Sequence, residues 1–399
     1  VPNFTRSPIS PARLAAFDIL LDVEKGSYAS DDLRSRSVTL SPRDAGLAAQ
    51  IVFGCLRFQN QLDYLLALYS GRQATDLHPE VRIALRAAIF QMRYLERVPA
   101  HAAVDNSVEF VKKRQRAATG LVNAVLRKVN RDPVSWPDRA TAESCPEWLL
   151  RRWQDSFGEE RALGIARAAL REPNHYVRIA PGREIPAELA VESTTLPGCY
   201  RVRTGAADSL RFHDIGSQSI VPLLQLEAGQ SYLDLCAAPG NKTSQALETH
   251  LGLAVICDAS FDRLRQMTVA GARVLLDATG RLPFSMKFDR VLVDAPCSGT
   301  GTLAGNPEIK WRIQPADFAR FQAKQTAILS NALRVLSPEG RLVYATCSLE
   351  HEENEDVVKA VLAGNSQFRC EQEVYRIPGR DEGDGFYAAV ISALDLEAR

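Results

Sequence analysis

AspLeuCysAlaAlaProGlyAsnLysThr, residues Asp234–Thr243, is the stretch that decides the fold. A strand candidate, Tyr232–Leu235, runs into it and a helical stretch, Ser244–Thr249, runs out of it. Gly240 lets the backbone of such a turn approach a ligand closely, and the helix start offers free N–H groups. The turn is neither Gly-x-Gly-x-x-Gly nor Gly-x-x-x-x-Gly-Lys-Ser/Thr, which disfavours a dinucleotide loop and a phosphate loop. Downstream the rhythm continues. Strand candidates lie at Ala254–Cys257, Arg273–Leu276, Arg290–Val293 and Arg341–Ala345, with helical stretches at Asp262–Ala270 and Pro315–Leu336. Alternation of this kind predicts a doubly wound parallel sheet, which binds ligands outside the carboxyl ends of its strands.

Upstream the pattern is helical. Val81, Leu85, Ala88, Met92 and Leu95 form one stripe at three- and four-residue steps in Val81–Leu95. Ser41-Pro42 supplies an N-cap and a first-turn proline for a helix over Arg43–Phe58, and His78-Pro79 marks a similar start. Gly120–Val129 is a further short amphipathic helix. Asp132-Pro133 and Trp136-Pro137 read as a linker, followed by helices near Pro146–Phe157 and Glu159–Leu170. Short alternating runs punctuated by Pro and Gly, Tyr176–Phe212, read as a small sheet-containing subdomain. Three segments are therefore expected: a helical bundle at 1–137, connecting helices and a small α+β subdomain at 138–216, and an α/β domain at 217–399.

Bulk properties exclude several classes. The chain has 399 residues, enough for more than one core, and is 46% hydrophobic and 24% charged, as soluble globular proteins are. No run approaches the ~18 apolar residues of a membrane span, and ValProAsnPheThrArgSer at the start has no secretory apolar core. A cytoplasmic location is expected. The eight cysteines contain no Cys-x-x-Cys pair, which argues against a zinc ribbon, and no metal is expected. Net charge is zero, but residues 1–130 hold 18 Lys+Arg against 12 Asp+Glu. Lys112, Lys113, Arg114 and Arg116 carry much of that excess, and a local phosphate-binding surface fits it.

Chemistry-bearing residues recur at the strand ends. Asp258, about twenty residues past the loop, is placed to accept ribose hydroxyls, and Asp277 to meet an adenine amino group. The fourth strand delivers Asp294 and Cys297 in AspAlaProCysSerGly, and the fifth delivers Cys347 in ThrCysSer. Neither cysteine lies in an apolar helix stripe. Thiols near helix N-termini or cationic groups can become nucleophilic thiolates near neutrality, and two of them beside a cofactor loop point to covalent chemistry on an electron-poor ring.

The series AspLeuCysAlaAlaProGly-x-LysThr, AspAlaProCysSerGlyThrGly, AsnProGluIleLysTrp (Asn306–Trp311), ThrCysSer and AspGlyPheTyr (Asp384–Tyr387) resembles the RNA cytosine-C5 methyltransferases of the Sun/Fmu type over nearly the whole chain. Arg86–Pro99 and Leu121–Arg127 resemble the NusB-like domain of the bacterial small-subunit rRNA members. The resemblance implies an all-α NusB-like bundle joined to a Rossmann-like class I methyltransferase domain that uses S-adenosylmethionine. It implies that Cys236, Ala237, Ala238, Pro239, Gly240, Asn241 and Lys242, with Asp258, Arg263, Asp277 and Asp294, hold that cofactor. Cys347 would attack C6, Asp294 would steady N3, and Cys297 would assist release of the product. Asn241 stands where the family usually has a second Gly, and Ala304-Gly305 replaces a commonly basic stretch.

The expected activity is therefore methylation of cytosine C5 in 16S rRNA through a covalent Cys347 adduct. Lys112, Lys113, Arg114, Arg116 and the Arg201–Arg211 region are expected to meet phosphates, and Lys310 and Arg312 the substrate nucleotide. Three alternatives stand beside it: action on another RNA such as tRNA, a DNA enzyme with Cys297 as nucleophile, and a non-catalytic RNA-binding assembly factor. The helical domain is also a candidate surface for a protein partner.

Overall fold

The computed structural model describes residues 9–205 and 210–394. They form two compact units. The first runs to Arg171 and takes in Ala304–Arg312; the second runs from Glu172 to Leu303 and resumes at Ile313. These limits differ from the three expected segments: the helices beyond residue 138 group with the N-terminal bundle.

The first unit is helical because its apolar residues recur at helical spacing and its helix starts are capped. Ser41 Oγ accepts the Asp44 N–H at 3.1 Å ahead of the helix Pro42–Arg57, which has proline in its first turn. The stripe on Pro79–Tyr94 buries Val81, Leu85 and Ala88, while Met92 stays half-buried and Leu95 falls just past the helix end. Gly54 allows this helix to pack against Pro42–Arg57, since a Cβ there would lie 1.9 Å from Phe90 Cζ. Arg86 joins the core only because Asp63 and Glu24 neutralise it at 2.6 and 3.2 Å.

The second unit holds two sheets. The smaller is antiparallel, order β1-β3-β2, from β1 (Tyr176–Arg178), β2 (Ala190–Ser193) and β3 (Cys199–Thr204). The larger contains β4 (Ser231–Asp234), β5 (Leu253–Asp258), β6 (Ala272–Leu275), β7 (Phe288–Asp294), β8 (Leu336–Thr346), β9 (Phe368–Arg376) and β10 (Phe386–Ala393). Its order is β6-β5-β4-β7-β8-β10-β9. The first five strands pair in parallel, as the alternation predicts. The antiparallel β9 and β10 are an addition that the sequence reading lacked.

Both faces of this sheet are buried. Leu233, Val291, Val293, Leu342, Tyr344, Tyr387 and Ala389 point into one core, and Tyr232, Leu292, Val343, Ala345, Ala388 and Val390 into the other. Because β5 and β6 lie on one side of β4 and β7 and β8 on the other, strand order reverses between β4 and β7. The ligand crevice of such a sheet opens there. The helix expected over Asp262–Ala270 is shorter, Phe261–Gln266. It ends ahead of Gly271, whose φ of 120° leaves the helical region.

Candidate functional site

The loop after β4 is held by its neighbours at the carboxyl edge. Asp258 is 6% exposed; its carboxylate accepts the Ala238 N–H at 3.1 Å and the Ser260 N–H at 2.8 Å. Arg263 donates to the Ala238 carbonyl at 2.6 Å, and the Ala237 N–H donates to the Cys257 carbonyl at 2.9 Å. Pro239 follows a cis peptide bond. Gly240 has a φ of 102°, and a Cβ there would come within 2.9 Å of Met267 Cε, so the position favours glycine twice over. Asn241 donates to the Phe212 carbonyl at 3.2 Å, so its side chain is directed to a backbone partner.

Four carboxylates face or flank this loop. Asp234 is 1% exposed, and its Oδ2 accepts from Thr243 at 2.7 Å and Tyr232 at 3.1 Å. Burial pushes its carboxyl up to about 7, with Asp294 adding to the effect, and its buried Oδ1 has no partner. Asp294, at the end of β7, accepts from Lys242 Nζ at 2.7 Å across the strand-order reversal, and Lys242 also lies over the Phe386 ring at 4.9 Å. Asp277 is exposed two residues past β6; hydrogen bonds from the Thr279 N–H and hydroxyl hold its carboxyl below the usual range. Together these features fit a cationic nucleoside such as S-adenosylmethionine: a backbone kept open at Gly240, an acid at each strand end, and an orphaned carboxylate oxygen. Cys236–Lys242, Asp258, Asp277 and Asp294 would hold it, with Arg263 keeping the loop in place.

Cys297 and Cys347 leave the adjacent strands β7 and β8 and bring their sulfurs to 3.2 Å. Both are free thiols and half-buried, while Ser298, Thr346 and Ser348 around them are buried. The Cys347 sulfur beside it, then burial, push the Cys297 thiol well up from its ordinary value, so Cys297 keeps its proton. The Gly301 N–H donates to the Cys347 carbonyl at 2.9 Å; a Cβ at Gly301 would lie 2.4 Å from the Gly385 carbonyl oxygen. The glycine therefore lets three loops converge behind the sulfurs.

One site-supporting residue escaped the sequence reading. Glu353, inside the acidic run HisGluGluAsnGluAsp, is 0% exposed and accepts from the Ser298 N–H at 2.8 Å, Ser348 Oγ at 2.6 Å and Gln325 Nε2 at 2.9 Å. Its one legible signal was its place five residues after ThrCysSer.

The RNA candidates divide. Lys112, Lys113 and Arg116 are exposed at or just beyond the end of the helix Ala100–Arg114. Arg114 is taken up by Asp18 at 2.6 Å and by the Phe110 ring at 4.8 Å. Arg201 and Arg203 pair with Glu382 and Glu192; residues 206–209 of that region lie outside the described residues. Arg211 donates to Thr268 at 3.0 Å and, with Arg178 and Arg183, lines a cavity of about 440 Å³ that reaches Gly240 and Asn241.

Lys310 is a correction. It is 1% exposed and belongs to the helical unit, where its ammonium donates to the carbonyls of Arg57 at 2.9 Å and Ser144 at 2.6 Å. A phosphate cannot reach it. Arg312 is likewise engaged, donating to the Ser27 carbonyl at 3.0 Å and lying 4.6 Å from the Tyr28 ring. Neighbouring Trp311 donates to the Leu56 carbonyl at 2.7 Å, and Arg57 donates to the Ala304 carbonyl at 2.9 Å. AsnProGluIleLysTrp thus serves to seat this segment among the helices.

Burial pushes the Lys310 ammonium down to about 7. The folded state then sheds a proton that the unfolded chain keeps up to ~10.4, so this residue's contribution to stability rises with pH between those values. Wild type is expected to gain thermal stability relative to Lys310→Met from pH 7 to pH 9, read as the difference between the two melting temperatures. A difference that stays flat with pH would contradict the assignment.

A profile of the family described as 16S rRNA methyltransferase RsmB/F matches residues 221–392, and one of the NusB family matches residues 10–131. The ribosomal RNA small subunit methyltransferase B of Thermus thermophilus is 33% identical, covering 97% of this chain and 98% of its own length. That of Klebsiella pneumoniae is 31% identical over 94% and 96%. The crystal structure of PH0851 shares the fold, with a TM-score of 0.81 at 20% identity over 97% of this chain and 100% of that one. With whole-length relatives at this identity and both profiles falling on the expected parts of the sequence, the chain belongs to the RsmB/F family of methyltransferases.

Proposed function

We propose that this protein methylates C5 of a cytosine in small-subunit ribosomal RNA through a covalent bond between Cys347 and C6. The observation that carries the proposal is the pair of sulfurs 3.2 Å apart on the loops leaving adjacent strands. Transfer to an amino nitrogen needs no thiol; transfer to C5 needs a nucleophile to enter at C6 and something to help it leave. S-adenosylmethionine is the cofactor of this family and supplies an electrophilic methyl group.

Cys347, as thiolate, adds to C6. N3 takes up a proton as charge builds on the ring, and Asp294 steadies that proton. The electron pair released towards C5 forms the new bond to the methyl carbon as the methyl–sulfur bond breaks, its electrons staying on sulfur. The C5 proton then passes to Cys297, its bonding electrons restore the 5,6 double bond, the C6–S bond breaks with the Cys347 sulfur taking the proton that Cys297 gives up, and N3 sheds the proton it gained. Cys297 keeps its proton in the resting site, which suits it to donate an S–H bond to the neighbouring sulfur and, at release, to exchange that proton for the C5 proton. The target base has to be single-stranded or flipped, because stacking covers C6. The exposed Lys112, Lys113 and Arg116 support phosphate contacts that position the RNA without specifying its sequence. Action on ribosomal RNA implies a cytoplasmic protein.

The test is nucleoside mass spectrometry after incubation with S-adenosylmethionine and, separately, protein-free small-subunit rRNA, assembled small subunits and tRNA. The expected product is 5-methylcytosine in the rRNA. Methylation confined to tRNA would move the substrate, a methylated amino nitrogen would refute the covalent route, and no product on rRNA or on assembled small subunits would favour a binding protein.

A further inference from the structure

Glu353 stands apart from other buried carboxylates of this unit because both its oxygens are spent on the two cysteine loops. Oε2 accepts the main-chain N–H of Ser298, the residue after Cys297, at 2.8 Å. Oε1 accepts the hydroxyl of Ser348, the residue after Cys347, at 2.6 Å. Gln325 ties the arrangement from outside, donating at 2.9 Å to Oε2 and at 3.0 Å to the Pro296 carbonyl, on the other side of Cys297. The two serine hydroxyls are themselves 3.1 Å apart, and Ser348 Oγ also accepts the Glu350 N–H at 3.1 Å. Each of these partners of the carboxylate is thus a neutral donor from, or next to, a cysteine loop.

The two loops depend on this carboxylate unequally. The Cys347 loop has restraints of its own, since Thr346 Oγ1 donates to Asn354 Oδ1 at 2.5 Å and Asn354 donates to the Ser348 carbonyl at 3.0 Å; the Leu349 N–H bond to Thr300, at 2.9 Å, ties it to the far end of the Cys297 loop. The Ser298 N–H, in contrast, has Glu353 as its acceptor. Removing the carboxylate therefore releases Cys297 more than Cys347. A buried N–H stripped of its acceptor pulls its loop towards another partner.

We infer that Glu353 is a positioning residue for the two-cysteine reaction, holding Cys297 at the distance from Cys347 that release of the methylated base requires. The inference rests on the covalent reading above. It makes an asymmetric prediction: without Glu353, attack by Cys347 proceeds while release fails, so the protein–RNA adduct accumulates. General damage to the site would instead lose methylation and adduct together.

The experiment compares wild type, Glu353→Ala, Glu353→Gln, Cys297→Ala and Cys347→Ala with labelled S-adenosylmethionine and small-subunit rRNA. Multiple-turnover methylation, denaturant-resistant adduct and cofactor affinity are measured for each. Glu353→Ala is expected to bind cofactor within about twofold of wild type, to turn over on the order of 100-fold more slowly, as misplacement by about 1 Å does, and to accumulate adduct as Cys297→Ala does. Glu353→Gln, with one amide oxygen left to accept from Ser298, is expected to recover most of the lost turnover. Wild-type turnover in Glu353→Ala would overturn the inference, as would joint loss of turnover and adduct with cofactor binding intact. Should Glu353→Ala lose cofactor binding, Gln325→Ala decides by the same two readouts. Failure of the covalent reading shows separately, as methylation that survives Cys347→Ala.

Discussion

Cys347→Ala is expected to lower methyl transfer by on the order of 10⁴-fold or more and to remove the denaturant-resistant adduct altogether, because no nucleophile then enters at C6. The scaffold should tolerate the change. The loop is held by the Cys347 carbonyl, which accepts the Gly301 N–H at 2.9 Å, and by the bonds of Thr346 and Ser348 on either side. The side chain is half-buried, so losing one sulfur should cost about 1 kcal/mol of stability or less. Cofactor binding, measured by calorimetry, should persist. Loss of activity with folding and cofactor affinity intact is the signature of a missing nucleophile. Persistent methylation would send the nucleophile to Cys297 or dispense with one.

The second large effect is expected at Asp294. Asp294→Asn keeps the shape but withdraws the charge that faces Lys242 Nζ at 2.7 Å. The carboxylate is the group assigned to the proton on N3 during thiolate addition, so its loss should raise the barrier to addition. Methyl transfer is expected to fall about 100- to 1,000-fold, the range for removal of one preorganised electrostatic partner. Adduct formation should fall with it, in contrast to Cys297→Ala, where adduct builds up. Lys242→Met separates the two members of the pair. If cofactor affinity alone drops in Asp294→Asn, while single-turnover transfer at saturating cofactor stays normal, Asp294 serves the cofactor and not the base.

The parallel half of the sheet was legible in the sequence because its strands end in chemically distinctive residues. Asp234, Asp258, Asp294 and the two cysteines all lie at or just past carboxyl ends. Strand β10 was opaque for a physical reason. PheTyrAlaAlaValIleSerAla is a nearly unbroken apolar run, buried on both faces, so it lacks the period-two alternation that marks a half-exposed strand. Lys310 misled because a lysine within a motif reads as available to a substrate. Its burial depends on carbonyls 253 and 166 residues away, which no local pattern reveals. Glu353 was hidden in the opposite way. An acidic run reads as a solvated helix start, and only the fold shows that this member turns inward to Ser298, Ser348 and Gln325. The placement of these acids and cysteines at strand ends was thus readable, while what holds them together was not.

The most direct test of the central claim uses rRNA carrying 5-fluorocytidine. Fluorine replaces the C5 proton whose loss frees the enzyme, so a C5 methyltransferase becomes trapped on its substrate after one transfer. Wild-type protein is incubated with this RNA and S-adenosylmethionine, and the trapped complex is digested with protease and nuclease and sequenced by mass spectrometry. The expected result is a methylated fluorocytidine attached to the sulfur of Cys347. Attachment at Cys297, or methyl transfer without any adduct, would contradict it.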